Sequence, residues 1–199
     1  FSDIPTLEAA GLRINKVFSG FNEGLSFYLN PVYGHPALQD IRVRQAIALA
    51  INRQALLDEL FAGQAQAAMS YWDNTPYLDP SLTPWPYDPA RSAALLDEAG
   101  WMDSNGDGLR DRDGVDLALT YGTTTREIRQ KAQAIIREQL LQVGIRLDLI
   151  DYPPNVFFSG FADAGPAATG QLDVYQLSSA IRFPDPDTAD FLCSQLASM

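Results

Sequence analysis

The residues with the clearest chemical spacing form one run, Asp103-Ser104-Asn105-Gly106-Asp107-Gly108-Leu109-Arg110-Asp111-Arg112-Asp113-Gly114. Its first half follows a calcium loop: oxygen-bearing side chains at positions one, three and five, with glycine at six, suit a hard cation. Position twelve is Gly114, where a bidentate Glu would complete the shell, so the spacing predicts weak calcium affinity at best. The competing reading is a polar turn ahead of a strand, in which Asn and Gly take positive φ and Asp carboxylates accept bonds from nearby amides. The one histidine, His35, lies between Gly34 and Pro36, and the one cysteine, Cys193, follows Phe191-Leu192. Neither has catalytic company, since no G-x-S-x-G or H-E-x-x-H surrounds a nucleophile or metal ligand. Cys193 reads as a small buried hydrophobe. Asp185 and Asp187 could share acid–base work, yet neighbouring acids arise freely among 25 acidic residues. Glycine-rich phosphate loops are also missing. No enzyme and no cofactor is expected.

The elements that would carry any site are legible from period and punctuation. Residues 25 to 30 read as a strand closed by Pro31, which has no amide for a ladder. From Arg42 the period changes: Val43, Ala46, Ile47, Ala50 and Ile51 fall at helical spacings. Asn52 is a break or N-cap before a second helical stretch, Ala55 to Phe61, which runs on to Gly63. Five prolines among Trp72, Tyr77, Trp85 and Tyr87 make 72 to 89 irregular. Those rings either line a cleft or hold a long loop against the body. Asp88-Pro89 then opens a short helix that Gly100 stops. Residues 115 to 121 alternate as a strand, and Ile128, Ala132, Ile135, Ile136, Leu140 and Val143 make a helical stripe ended by Gly144. Ile145, Leu147 and Leu149 alternate again. Strand, helix, strand with short joints predicts a right-handed parallel crossover. Leu172 to Ser178 reads as a further strand, so the chain is α/β.

Bulk properties narrow the partners. The 199 residues suffice for a core without staples, and 46% hydrophobic against 20% charged residues predicts a folded body. A formal charge of −11 repels phosphate backbones, so nucleic acid is not expected as a partner. No run is long and apolar enough to span a bilayer, and no basic start followed by an apolar core marks a secretion signal, so export cannot be read directly from these residues. A start at Phe1 and a stop within an apolar stretch give the expectation that the chain is an excerpt of something longer.

Taken in order, these runs resemble the family 5 solute-binding proteins of ABC importers. The resemblance is carried by Leu25-Ser-Phe-Tyr-Leu-Asn30, then Leu38-Gln-Asp-Ile-Arg-Val-Arg-Gln-Ala-Ile-Ala-Leu-Ala-Ile-Asn-Arg53, then Phe61-Ala-Gly63. It continues through Tyr87-Asp-Pro-Ala-Arg-Ser-Ala-Ala-Leu-Leu-Asp-Glu-Ala-Gly-Trp101, Asn105-Gly-Asp-Gly108, Leu141-Gln-Val-Gly-Ile145, Leu172-Asp-Val-Tyr175 and Pro184-Asp-Pro186. Order and spacing agree over residues 25 to 192.

The resemblance implies a lobe of the periplasmic-binding-protein type II kind, a mixed sheet flanked by helices, from a two-lobed clam-shell. Residues 1–24 would end the other lobe and cross the hinge, and 25–199 would form most of the C-terminal lobe. It implies capture of a peptide, oligosaccharide or chelate in the periplasm or at the outer face of the cell envelope, and delivery to a membrane permease. The isolated fragment is expected to be monomeric. Ligand contacts are expected from Tyr121, Thr123, Thr124 and Thr125 at the end of one strand, from Trp72, and from Ser179, Arg182 and Asp185. Peptide binders can carry a carboxylate-binding arginine near 122–125, and an Asp for the ligand's amino terminus where this chain has Arg182. Ser179 stands where they carry a cleft tryptophan. Arg182 would repel an ammonium group and could hold a carboxylate or sugar hydroxyls, or be held in a salt bridge within the lobe. The alternative function is a calcium-stabilised structural or adhesive module built on 103–114.

Overall fold

The computed structural model describes residues 3–18 and 21–180. Along the chain run α1 (Ile4–Ala9), β1 (Phe21–Phe27), α2 (Pro36–Gln39), α3 (Ile41–Ala50), α4 (Arg53–Phe61) and α5 (Pro89–Glu98). There follow β2 (Asp111–Arg112), β3 (Val115–Asp116), β4 (Ala118–Thr124), α6 (Glu127–Leu141), β5 (Arg146–Tyr152), α7 (Pro154–Phe157), a 3-10 turn at Phe161–Asp163 and β6 (Val174–Ala180). Four strands form a mixed sheet in the order β1-β6-β4-β5. β4 pairs in parallel with both β5 and β6, and β1 is antiparallel to β6. The expected mixed α/β lobe with a parallel strand–helix–strand unit is what the chain forms.

Punctuation works locally as the side chains dictate. Asn52 Oδ1 accepts the Ala55 amide at 3.0 Å to start α4, and Asp88 Oδ1 accepts the Arg91 amide at 2.8 Å to start α5 behind Pro89. Gly100 and Gly144 take φ of +81° at the stops of α5 and α6. Two expectations shift. The strand expected over 25–30 is β1, Phe21–Phe27, because its pairing with β6 draws in Asn22-Glu23-Gly24, which have little strand preference of their own. It stops early because Asn30 Oδ1 accepts the amides of Val32 and Tyr33 and turns the chain. The boundary expected between residues 24 and 25 therefore falls inside a strand. The strand expected over 115–121 is divided: Asp113 and Gly114, with φ of +54° and +78°, fold β2 onto β3 as a tight hairpin, and β4 then runs on to Thr124.

The core is continuous. Val43, Ala46, Ile47 and Ala50 of α3, Leu95 and Leu96 of α5, Ile136 and Leu140 of α6 and Leu119, Tyr121 and Leu147 of the sheet enclose it, with Trp101 fully buried at one end. Ser92 stitches α5 to α3 through the Ala46 carbonyl at 2.8 Å. His35 closes this end: its Nδ1 accepts the Ala37 amide to cap α2, and its ring lies 5.8 Å from that of Trp101. The Arg112 guanidinium lies 4.8 Å from the Trp101 ring. Burial pushes the His35 pKa below its ordinary value, against the opposing field of Asp173 and a bond to the Asp116 backbone.

Candidate functional site

Because β4 and β6 are parallel, their carboxyl ends share one end of the sheet, and β1 begins there. Open α/β sheets place ligands in the crevice outside those ends. The chain gathers Thr123 and Thr124 of β4, Thr125 just beyond it, and Ser178 and Ser179 of β6 at this rim. Ser179 pairs with Asn22, whose Nδ2 donates to the Tyr71 carbonyl at 3.2 Å, so the turn bearing Trp72 is fastened to the same rim. That turn is built by buried Asp73, whose carboxylate accepts the Met69 and Ser70 amides at 2.8 Å each. Trp72 stands edge-on to Tyr71 at 5.1 Å and to Tyr77 at 6.5 Å.

Beneath the rim lies a polar cluster that the sequence does not announce. Arg129 of α6, only 6% exposed, donates Nε to Glu23 Oε1 at 2.7 Å, one terminal nitrogen to Thr124 Oγ1 at 3.1 Å, and the other to Ser178 Oγ at 2.8 Å and Glu23 Oε2 at 3.2 Å. Ser178 Oγ also donates to Glu23, and Gln176 Nε2 donates to the same carboxylate at 3.1 Å. Tyr121 donates its hydroxyl to Gln176 Oε1 at 2.7 Å, and Gln133 Nε2 donates to the Tyr121 carbonyl at 2.7 Å. Burial, then the Glu23 charge, raises the Tyr121 pKa, so the phenol stays a neutral donor. One guanidinium thus ties β1, β4 and β6 to α6.

The expected contact residues separate by depth. Tyr121, Thr123 and Thr124 are buried in the lobe, Thr125 is exposed, and Ser179 and Trp72 are half-buried. Arg182 and Asp185 lie outside the described residues, as do Asp187 and Cys193. Glu23, Arg129, Gln133, Gln176 and Ser178 escape a reading of apolar periodicity. The usable signal is that Arg129 and Gln133 fall at helical spacing with Ile136 and Leu140, two polar residues on a buried face.

The acidic loop is a polar turn. Asp103 accepts the amides of Gly106 at 2.7 Å, Asp107 at 3.1 Å and Gly108 at 3.0 Å. Asp111 accepts the Ser104 amide at 2.9 Å and its hydroxyl at 2.8 Å, bonds that hold its carboxyl below the usual range. Among the described residues, no group of three or more His, Cys, Asp or Glu is placed to hold a metal ion. Arg110 anchors the turn through Asp97 at 2.5 Å and the Trp101 and Val143 carbonyls at 2.6 and 2.8 Å.

Residues 2–193 match the family model of bacterial extracellular solute-binding proteins, family 5, middle region. The chain belongs to this family. It is 28% identical over 185 residues to the oligopeptide-binding protein AppA of Bacillus subtilis, covering 84% of this chain and 32% of that protein. NikA from Brucella suis, solved with Fe(III)-EDTA, superposes with a TM-score of 0.69 at 26% identity, over 92% of this chain and 35% of that one. The oligopeptide-binding protein of Thermus thermophilus, solved with a pentapeptide, superposes with a TM-score of 0.73 at 24% identity, over 84% and 29%. The chain thus spans about a third of the length of these family members, and nothing in them favours a calcium-stabilised adhesive module.

Proposed function

We propose that this chain is the greater part of one ligand-clasping lobe of an ABC-importer binding protein. The observation that carries the reading is the match of nearly the whole chain to the family 5 model. In this reading the solute is a peptide, an oligosaccharide or a chelate, held without making or breaking a bond at the outer face of the cell envelope and handed to a membrane permease. Thr125, Ser179 and Trp72 supply contacts at the rim, and by family resemblance Arg182 and Asp185 join them. Tyr121, Thr123 and Thr124 serve from beneath, by fixing where the strand ends. Lobe closure is a ligand-linked shift between open and closed states.

The test is mass spectrometry of small molecules released by denaturing a polypeptide of the relatives' length that carries this sequence. The expected result is an intact solute in near-stoichiometric amount, with a smaller radius of gyration in the loaded protein. Conversion of that solute into product, or one radius with and without it, contradicts the reading.

A further inference from the structure

The polar turn at 103–111 has no part in the proposed function, yet it holds groups that can act on their own chain. Asn105 is followed by Gly106, and no other asparagine in the sequence is followed by glycine. Both residues are exposed, and a Cβ on Gly106 would meet nothing within 4 Å. Such an asparagine has an intramolecular reaction open to it, in which the next residue's main-chain nitrogen attacks the side-chain carbonyl carbon. A side chain on that next residue would obstruct the attack, and glycine has none.

Bonds already formed in the turn favour that attack. The Gly106 amide donates to Asp103 Oδ1 at 2.7 Å, which sets a carboxylate base on the proton that the nucleophile must lose. Asn105 Oδ1, where negative charge gathers as the new bond forms, accepts the Asp107 amide at 3.0 Å. Asn105 Nδ2, the nitrogen that would depart, donates to Asp107 Oδ2 at 3.0 Å. The base is held in place in turn, since Asp103 also accepts the Asp107 and Gly108 amides.

We infer that Asn105 is a site of spontaneous modification, at which the folded turn drives closure to a succinimide. The bond from the Gly106 nitrogen to Asn105 Cγ forms and the Cγ–Nδ2 bond breaks. Asp103 takes the Gly106 proton and passes it to Nδ2, which leaves as ammonia, so the carboxylate ends unchanged. Water then opens the imide at either carbonyl, leaving aspartate or β-linked isoaspartate at 105. Either product sets a carboxylate against Asp107 where a hydrogen bond stood, and the β-linked one also lengthens the main chain of the turn by a methylene. The inference is independent of which solute the chain binds.

It is tested on the 199-residue chain, incubated at neutral pH natively and in urea, with conversion at each asparagine localised by peptide mapping and tandem mass spectrometry. Conversion at Asn105 is expected to run about threefold or more faster in the native chain, because unfolding disperses the base and the donor. Asn155, exposed and followed by Val156, is the internal control and should stay intact over the same interval. Asp103→Asn keeps an oxygen for the amides but no base, so it should slow the native rate about threefold and leave the rate in urea unchanged. A native rate equal to or below that in urea overturns the inference, as does an unchanged native rate in Asp103→Asn or equal conversion at Asn155. Should that variant misfold, the unsubstituted chain decides: a rate set by the Asp103 carboxylate is flat from about pH 6 to 8, where the rate in urea climbs with hydroxide, and a native rate that climbs as steeply overturns the inference.

Discussion

Arg129 concentrates the energetics of the rim in one side chain. Its partner Glu23 keeps about a third of its side chain in water, whereas the guanidinium is almost wholly enclosed. Glu23→Leu therefore strands a buried cation and is expected to cost about 3 kcal/mol, near the lower figure for breaking a buried pair. Arg129→Met leaves a carboxylate that can rehydrate, so it costs less. The double variant should lie well short of the sum, because removing both charges leaves nothing stranded. Urea unfolding of the four proteins checks this, and additive losses would refute it. His35 supplies a second test at the same scale. Its folded pKa lies below the ordinary value of 6.5, so the unfolded chain binds the proton more readily and protonation favours unfolding. The contribution is complete above that value and is lost as pH falls through and below it. Nδ1 must be neutral to accept the Ala37 amide, so the unfolding midpoint should drop as pH is lowered from about 7.5 to about 5.5. His35→Asn, which can still cap α2, should fall less over that interval.

Elements were readable in proportion to how local their causes are. α5 declares itself through its Asp88 cap, its glycine stop and its apolar period, and α6 and β5 through apolar period and the Gly144 stop, all within the segment. β1 does not, because the pairing that defines it reaches residues more than 150 positions away. The Glu23–Arg129 pair spans 106 positions and was equally out of reach. α7 and the 3-10 turn are too short to show a period, yet they settle a segment whose tightness can be tested. A Cβ on Gly165 would meet the Ser159 carbonyl oxygen at 1.9 Å, while one on Gly122 would meet the Leu172 side chain at 2.3 Å. A backbone oxygen cannot step aside as a leucine tip can. Gly165→Ala is thus expected to cost about 3 kcal/mol and Gly122→Ala nearer ~1 kcal/mol, the two ends of the overpacking range, read as shifts in denaturation midpoint. The candidate rim was legible in part: Thr125, Trp72 and Ser179 do come to one end of the sheet, while depth, which separates them from Tyr121 and Thr123, is a property of packing that residue type does not encode.

At the scale of the molecule, the proposed reading makes this chain one side of a cleft. In that reading the 199-residue chain should retain the solute released from a polypeptide of the relatives' length at least a hundredfold more weakly than that polypeptide does, because contacts made only with both sides closed are missing. Calorimetry on both proteins checks this, and equal affinity would place the whole site on this lobe. The sheet also carries a consequence in time. β4, α6 and β5 are contiguous from Ala118 to Tyr152, so they can assemble as soon as they leave the ribosome. β1 is synthesised long before them and its partner β6 emerges last of the described strands, a delay of roughly eight to thirty seconds at about 5 to 20 residues per second. Through that interval β1 lacks its β6 partner, and their pairing closes a very long loop around a unit that can already have formed.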